Sequence, residues 1–162
     1  MRKEFNAMTR GRQDAKKSIN YHCAFAALRH CVKKEEENPI SRDIVRCALE
    51  VHRTLGGPGL LESVYEEALA WELSQTGLDI QRQVNLPIPY KGQTLASPLR
   101  IDLIVGRKVI IECKATSKYN DLFEAQLLTY LRLTGLKLGL VVNFGERLLK
   151  DGIHRVVNGL PD

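Results

Sequence analysis

The chain is poor in the residues that hold small folds together by covalent or metal staples. Its four cysteines, Cys23, Cys31, Cys47 and Cys113, form no CxxC pair and stand at no ligand spacing from a histidine. That scatter argues against a zinc site, a disulfide framework or an iron–sulfur cluster, and the expected state is a set of small buried thiols. No apolar run is long enough to cross a bilayer, so no membrane partner is expected. The first residues, MRKEFNAMTRGRQDAKK, include basic side chains but no apolar segment behind them. They do not read as a secretory signal, and a cytoplasmic location is the expectation. Internal repeats and low-complexity blocks are also missing.

What is present suffices for one globular domain. Of 162 residues, 44% are hydrophobic and 27% charged, a composition that can bury a single core. The net charge of +5 is unevenly placed. Residues 1–34 carry nine Lys or Arg against two acids, and residues 35–162 carry fifteen against seventeen, so the basic excess belongs to an amino-terminal arm. Such an arm can track a phosphate backbone or stand as a solvated extension. We divide the chain into this arm, residues 1–38, partly helical or disordered, and a domain over residues 39–162.

Periodicity then supplies an element order. Residues 18–34 could form a helix ended by Asn38-Pro39. Ser41 has the chemistry of an N-cap, ahead of an apolar stripe of Ile44, Ala48, Val51 and Leu55. Gly56-Gly57-Pro58-Gly59 breaks that helix, and another is expected over residues 60–75, stopped near Gly77. Val84, Leu86, Ile88 and Tyr90 alternate as in a strand, with Pro87 and Pro89 suggesting an edge. Lys91-Gly92 reads as a turn. Strands over residues 99–105 and 109–114 are joined by Gly106-Arg107-Lys108 into a hairpin. A helix over residues 121–134 closes at Gly135, residues 138–144 form a buried strand, and residues 152–157 could add another. Helix, three strands, helix, strand is the order of an α/β sandwich.

The stretch VIIECKA, residues 109–115, sets apolar strand residues directly before Glu112 and Lys114. Burying such charges costs several kcal/mol per ion unless each finds a partner. With a three-residue hairpin loop, Asp102 faces Glu112; with a two-residue loop the two point to opposite faces. Lys114, two residues on, shares the side of Glu112. Two carboxylates held together need a cation between them, and hard oxygen ligands suit Mg2+ or Mn2+ better than zinc. A structural ion-pair cluster at the sheet end would account for the triad equally well.

Asp102 followed by Glu112-Cys113-Lys114 on the next strand resembles the signature of the PD-(D/E)XK nuclease superfamily. Gly59-Leu60-Leu61-Glu62-Ser63-Val64-Tyr65 resembles the motif of its GxxExxY branch, and Gln126 with Tyr130 is similar to the Q-x-x-x-Y pair of exonuclease-like branches. The resemblance covers residues 40–160, with Ile101 where the superfamily name has proline. It implies a restriction-endonuclease-like core and a Mg2+-dependent or Mn2+-dependent nuclease acting on nucleic acid, DNA in the first instance. By the same resemblance Asp102, Glu112 and Glu62 would hold the metal, and the Cys113 carbonyl is a further oxygen ligand to test. Lys114 would orient water or neutralise charge on the phosphate, and Gln126 and Tyr130 would line the site. Gln83 also lies in the family pattern, whereas Tyr65 reads first as packing. The alternative is a catalytically silent nucleic-acid-binding or protein-interaction domain on the same fold, since a fold does not prove activity. A homodimer enclosing a duplex is a further expectation for a domain this small. The four histidines suggest no role.

Overall fold

The computed structural model describes residues 36–159. The helix expected over residues 18–34, and nearly all of the basic arm, lie outside them. The chain opens with helix α1 (Glu37–Thr54) and helix α2 (Glu62–Ser74), then strand β1 (Ile80–Leu86) and a short ribbon of β2 (Pro89–Tyr90) with β3 (Gln93–Thr94). Strands β4 (Leu99–Val105) and β5 (Val109–Lys114), helix α3 (Leu122–Thr134), strand β6 (Leu138–Asn143), a 3-10 turn (Leu149–Gly152) and strand β7 (Ile153–Val157) follow. The five-stranded sheet has the order β1-β4-β5-β6-β7, all neighbours antiparallel except β5 and β6. This mixed α/β architecture is consistent with a restriction-endonuclease-like core.

Both faces of the sheet are covered, so its central strands are apolar throughout. Ile40, Ile44, Cys47, Ala48 and Val51 on α1 and Tyr65, Leu69 and Leu73 on α2 pack on Leu103, Val105, Val109, Ile111 and Cys113. On the opposite face Leu127, Tyr130 and Leu131 of α3 meet Ile104, Ile110 and Val141. Each fully buried Ile or Leu contributes about 1.5–3 kcal/mol. Residues of β5 alternate between these layers, Ile111 and Cys113 on one side and Ile110 on the other, which puts Glu112 and Lys114 by parity on the α3 side.

Two sequence expectations are corrected. Helix α1 begins at Glu37, not behind an N-cap at Ser41, because Pro39 sits in the first turn, where a missing N–H costs nothing. Ser41 instead donates its hydroxyl to the Asn38 carbonyl at 2.9 Å, and Ile40 enters the core. Strand β1 stops at Leu86 rather than running to Tyr90, since Pro87 and Pro89 have no N–H for a ladder. Pro89 and Tyr90 pair back on Gln93 and Thr94 across Lys91 and Gly92, both at positive φ. The hairpin between β4 and β5 has the expected three-residue loop, with Val105 opposite Val109.

Candidate active site

The register of that hairpin carries the site. Leu103 opposes Ile111, the ladder pair next to Asp102 and Glu112. There the ladder gives way to a side chain: Cys113 donates its backbone N–H to Asp102 Oδ2 at 2.9 Å. Glu112 is 3% exposed; its Oε1 accepts from Lys114 Nζ at 2.7 Å, whereas its Oε2 is buried with no hydrogen-bond partner. A bare buried carboxylate oxygen is costly, so its position calls for a cation or a donor.

Electrostatics give the same picture from another direction. Burial pushes the Asp102 carboxyl up to about 6, with the Cys113 N–H and Lys114 acting against that rise and Glu66 and Glu62 adding to it. Burial and then the neighbouring Asp102 push Glu112 up to about 7, against the pull of Lys114. Burial opposes the charge of the Lys114 ammonium most strongly, but its hydrogen bond to Glu112 and the charges of Glu112, Glu62 and Asp102 together hold its pKa above the ordinary value. It also lies 5.3 Å from the centre of the Phe123 ring, a cation–π distance. Two carboxylates whose charge burial disfavours, beside one ammonium, form a site that gains from a divalent cation.

The other expected residues are arranged around this centre at different depths. Glu62, the first residue of α2, has a side chain 47% exposed and stands 4.0 Å from Lys114 Nζ, at the rim. Gln126 donates its Nε2 to the Tyr130 hydroxyl at 2.5 Å, and burial raises the Tyr130 pKa with Glu112 and Asp102 adding to it. Tyr65 is a packing residue: it stacks on Phe144 with centroids 4.7 Å apart. Its hydroxyl donates to the Gly57 carbonyl at 2.7 Å and accepts from the Leu60 N–H at 3.1 Å, which fixes the glycine-rich loop ahead of Glu62. Of the histidines inside the described residues, His52 meets the Glu146 carbonyl at 2.9 Å and His154 stacks on Tyr119.

Two residues not singled out by the sequence reading complete the surroundings. Glu66, 5% exposed on α2, binds Arg82 Nε at 3.2 Å and accepts from the Gln83 side-chain amide. Its signal was legible in principle, since it follows Glu62 by four residues on one helix face, next to the buried Tyr65 and Leu69. Asn143, fully buried at the end of β6 and paired with Lys114, accepts from the Thr116 and Gly145 N–H groups and donates to the Thr116 carbonyl. It holds the loop that leaves the Glu-x-Lys stretch.

Among the described residues no three His, Cys, Asp or Glu side chains are gathered closely enough to hold a metal ion by themselves. Asp102 with the bare Oε2 of Glu112 still fits a hard cation. Mg2+ is commonly held by one or two carboxylates, its remaining positions going to waters and substrate phosphates. No helix among the described residues is long and apolar enough to cross a membrane. Comparison with known proteins finds that the family model of the PD-(D/E)XK nuclease superfamily matches residues 38–156. No curated protein and no solved structure matches.

Proposed function

The chain belongs to the PD-(D/E)XK nuclease superfamily, and from that membership we propose that it is a nuclease that hydrolyses phosphodiester bonds of DNA with Mg2+ or Mn2+. The observation that carries the reading is the buried, unpartnered Oε2 of Glu112 beside the Asp102 carboxylate. Asp102 and Glu112 are assigned as metal ligands, with Glu62 reaching the ion through water from the rim. When bound there, a divalent cation supplies Lewis acidity toward a phosphate oxygen and lowers the pKa of water.

The chain's own residues supply the rest. Lys114, already charged and anchored on Glu112 Oε1, places an ammonium where it can orient a water by hydrogen bonding or neutralise charge that develops on the phosphate. A lysine suits this because its charge is compact and its stem flexible. Gln126 and Tyr130, bonded to each other on α3, are assigned to the lining of the site. We place the protein in the GxxExxY branch on Gly59, Glu62 and Tyr65, whose bonds to Gly57 and Leu60 support the helix start that presents Glu62.

The test is cleavage of labelled single-stranded, duplex and branched DNA, with RNA counterparts, in Mg2+ or Mn2+ and in EDTA. We expect DNA cleavage with metal, none in EDTA, and none with Glu112→Gln. A protein that binds these substrates but cuts none of them in either metal would be a silent binding domain, and the nuclease reading would fall.

A further inference from the structure

One residue in the sheet adopts a backbone that strands do not use. Gln83 lies within β1 at φ +51, between the pairs Arg82 to Leu103 and Val84 to Ile101, so its cross-strand neighbour is Asp102. A non-glycine residue in the left-handed region costs about 1–3 kcal/mol and persists where its surroundings over-determine it. Here the consequence is visible in the side chains. Successive residues of a strand point to opposite faces, yet Arg82 and Gln83 both reach the same Glu66 carboxylate. The kink defeats the alternation, and Glu66 holds both neighbours from α2.

Arg82 is thereby fixed in an unusual posture. Its Nε is committed to a nearly buried carboxylate, while its side chain remains 43% exposed. Its two terminal Nη groups make no hydrogen bond among the described residues. It lies on the edge strand, where nothing in the sheet blocks approach from outside. It is also one strand spacing, about 4.8 Å, from the β4 backbone next to Asp102. A surface ion pair needs no left-handed backbone to form, and an arginine held only for charge balance would not need its fork left open.

We propose that Arg82, held by Glu66 and by the Gln83 kink, is a phosphate-contacting residue for the nucleic-acid strand entering the Asp102–Glu112 centre. This rests on the nuclease reading above and names how that site takes hold of its substrate. The planar guanidinium binds one phosphodiester through its free Nη edge, in the forked geometry that suits phosphate. Glu66 and Gln83 are positioning residues: they touch Arg82 or its partner and set the direction of the fork, and they leave the chemistry to the centre beside them.

The experiment uses the full chain, with labelled single-stranded and duplex DNA of the form the wild type cuts. Binding is measured in EDTA across a salt series, and cleavage kinetics in Mn2+. Arg82→Ala should raise KM about tenfold, leave kcat within about twofold, and lower the salt slope of binding by about one, the signature of one lost phosphate contact. Arg82→Lys should keep most of the slope and regain part of the KM. Gln83→Gly keeps a backbone free to take positive φ but loses the amide grip on Glu66, so KM should again rise with kcat preserved. A melting-temperature rise with Mn2+ certifies that each variant is folded with its centre intact. If Arg82→Ala does not fold, Gln83→Gly carries the test. Wild-type KM and salt slope in the folded variants, with the wild type active, would overturn this inference alone. A wild type that neither binds nor cuts DNA would remove the nuclease reading beneath it.

Discussion

At the residue scale the site is defined by what burial does to two carboxylates. Glu112 titrates near 7 in the folded protein against 4.5 for the free group, and Asp102 near 6 against 3.8. Between those values the folded state binds more protons than the unfolded one. Stability is therefore highest at the acid end and falls as pH rises through about 4.5 to 7, by on the order of 3 kcal/mol for Glu112. Melting in EDTA over that window should show the decline, Mn2+ should flatten it, and Glu112→Gln should remove most of it. A flat wild-type profile would mean that the two acids are not in a desolvated, repelling pair. Lys114 makes a separable prediction. Lys114→Ala should slow cleavage by roughly 10² or more, the scale of losing one donor to the transition state, with metal affinity little changed because an ammonium is not a ligand. Cleavage at the wild-type rate would reduce Lys114 to a counter-charge. The three-residue loop that brings Asp102 and Glu112 to adjoining strands was readable in the sequence, because glycine and charge mark the turn between two apolar runs. The grip of Glu66 on Arg82 and Gln83 was not, because it depends on one backbone dihedral that breaks the very alternation a sequence reading relies on.

At the scale of elements, the sequence spoke clearly where a glycine or a hydrophobic period left one solution, and less clearly where proline had two. The turn at residues 106–108, the end of α3 at Gly135 in the left-handed region, and β6 as an apolar run were all legible. The start of the first helix was placed too late, at Ser41, because proline also suits a helix's first turn and Ile40, ahead of Ser41, is buried in the core. Some couplings between elements have no sequence signature at all. Gly145 is one: a Cβ there would lie 2.3 Å from the Thr116 carbonyl oxygen, so the β6 exit and the loop after Lys114 touch backbone to backbone. Gly145→Ala should destabilise by more than about 2 kcal/mol, since backbone cannot move aside as a flexible side chain can. Chemical denaturation would show it, and a loss below about 0.5 kcal/mol would mean that the two loops are not held together. Tyr65→Phe keeps the stack on Phe144 and removes two loop hydrogen bonds, for an expected loss of about 1–2 kcal/mol.

At the scale of the whole molecule the question is how a chain with an acidic centre attracts a polyanion. Residues 35–162 carry seventeen acids against fifteen Lys or Arg, and α2, which presents Glu62 and Glu66, holds four acids and no base. Near that centre the field repels phosphate until a divalent cation is bound. Long-range attraction has to come from elsewhere, and residues 1–34, with nine bases against two acids, are where the positive charge is concentrated. If capture and chemistry are divided, the arm would raise the local concentration of nucleic acid, and local contacts such as Arg82 would set the register of the strand at the centre. Counterion release makes the division measurable, because the salt dependence of binding counts the phosphates neutralised. Deleting residues 1–34 should weaken binding to labelled DNA and flatten its salt slope by several units. It should leave the Mn2+-induced rise in melting temperature, and kcat at saturating substrate, close to those of the full chain. Equal salt slopes for the two proteins would make the arm a bystander and shift the burden of capture onto the edge strand and its arginine.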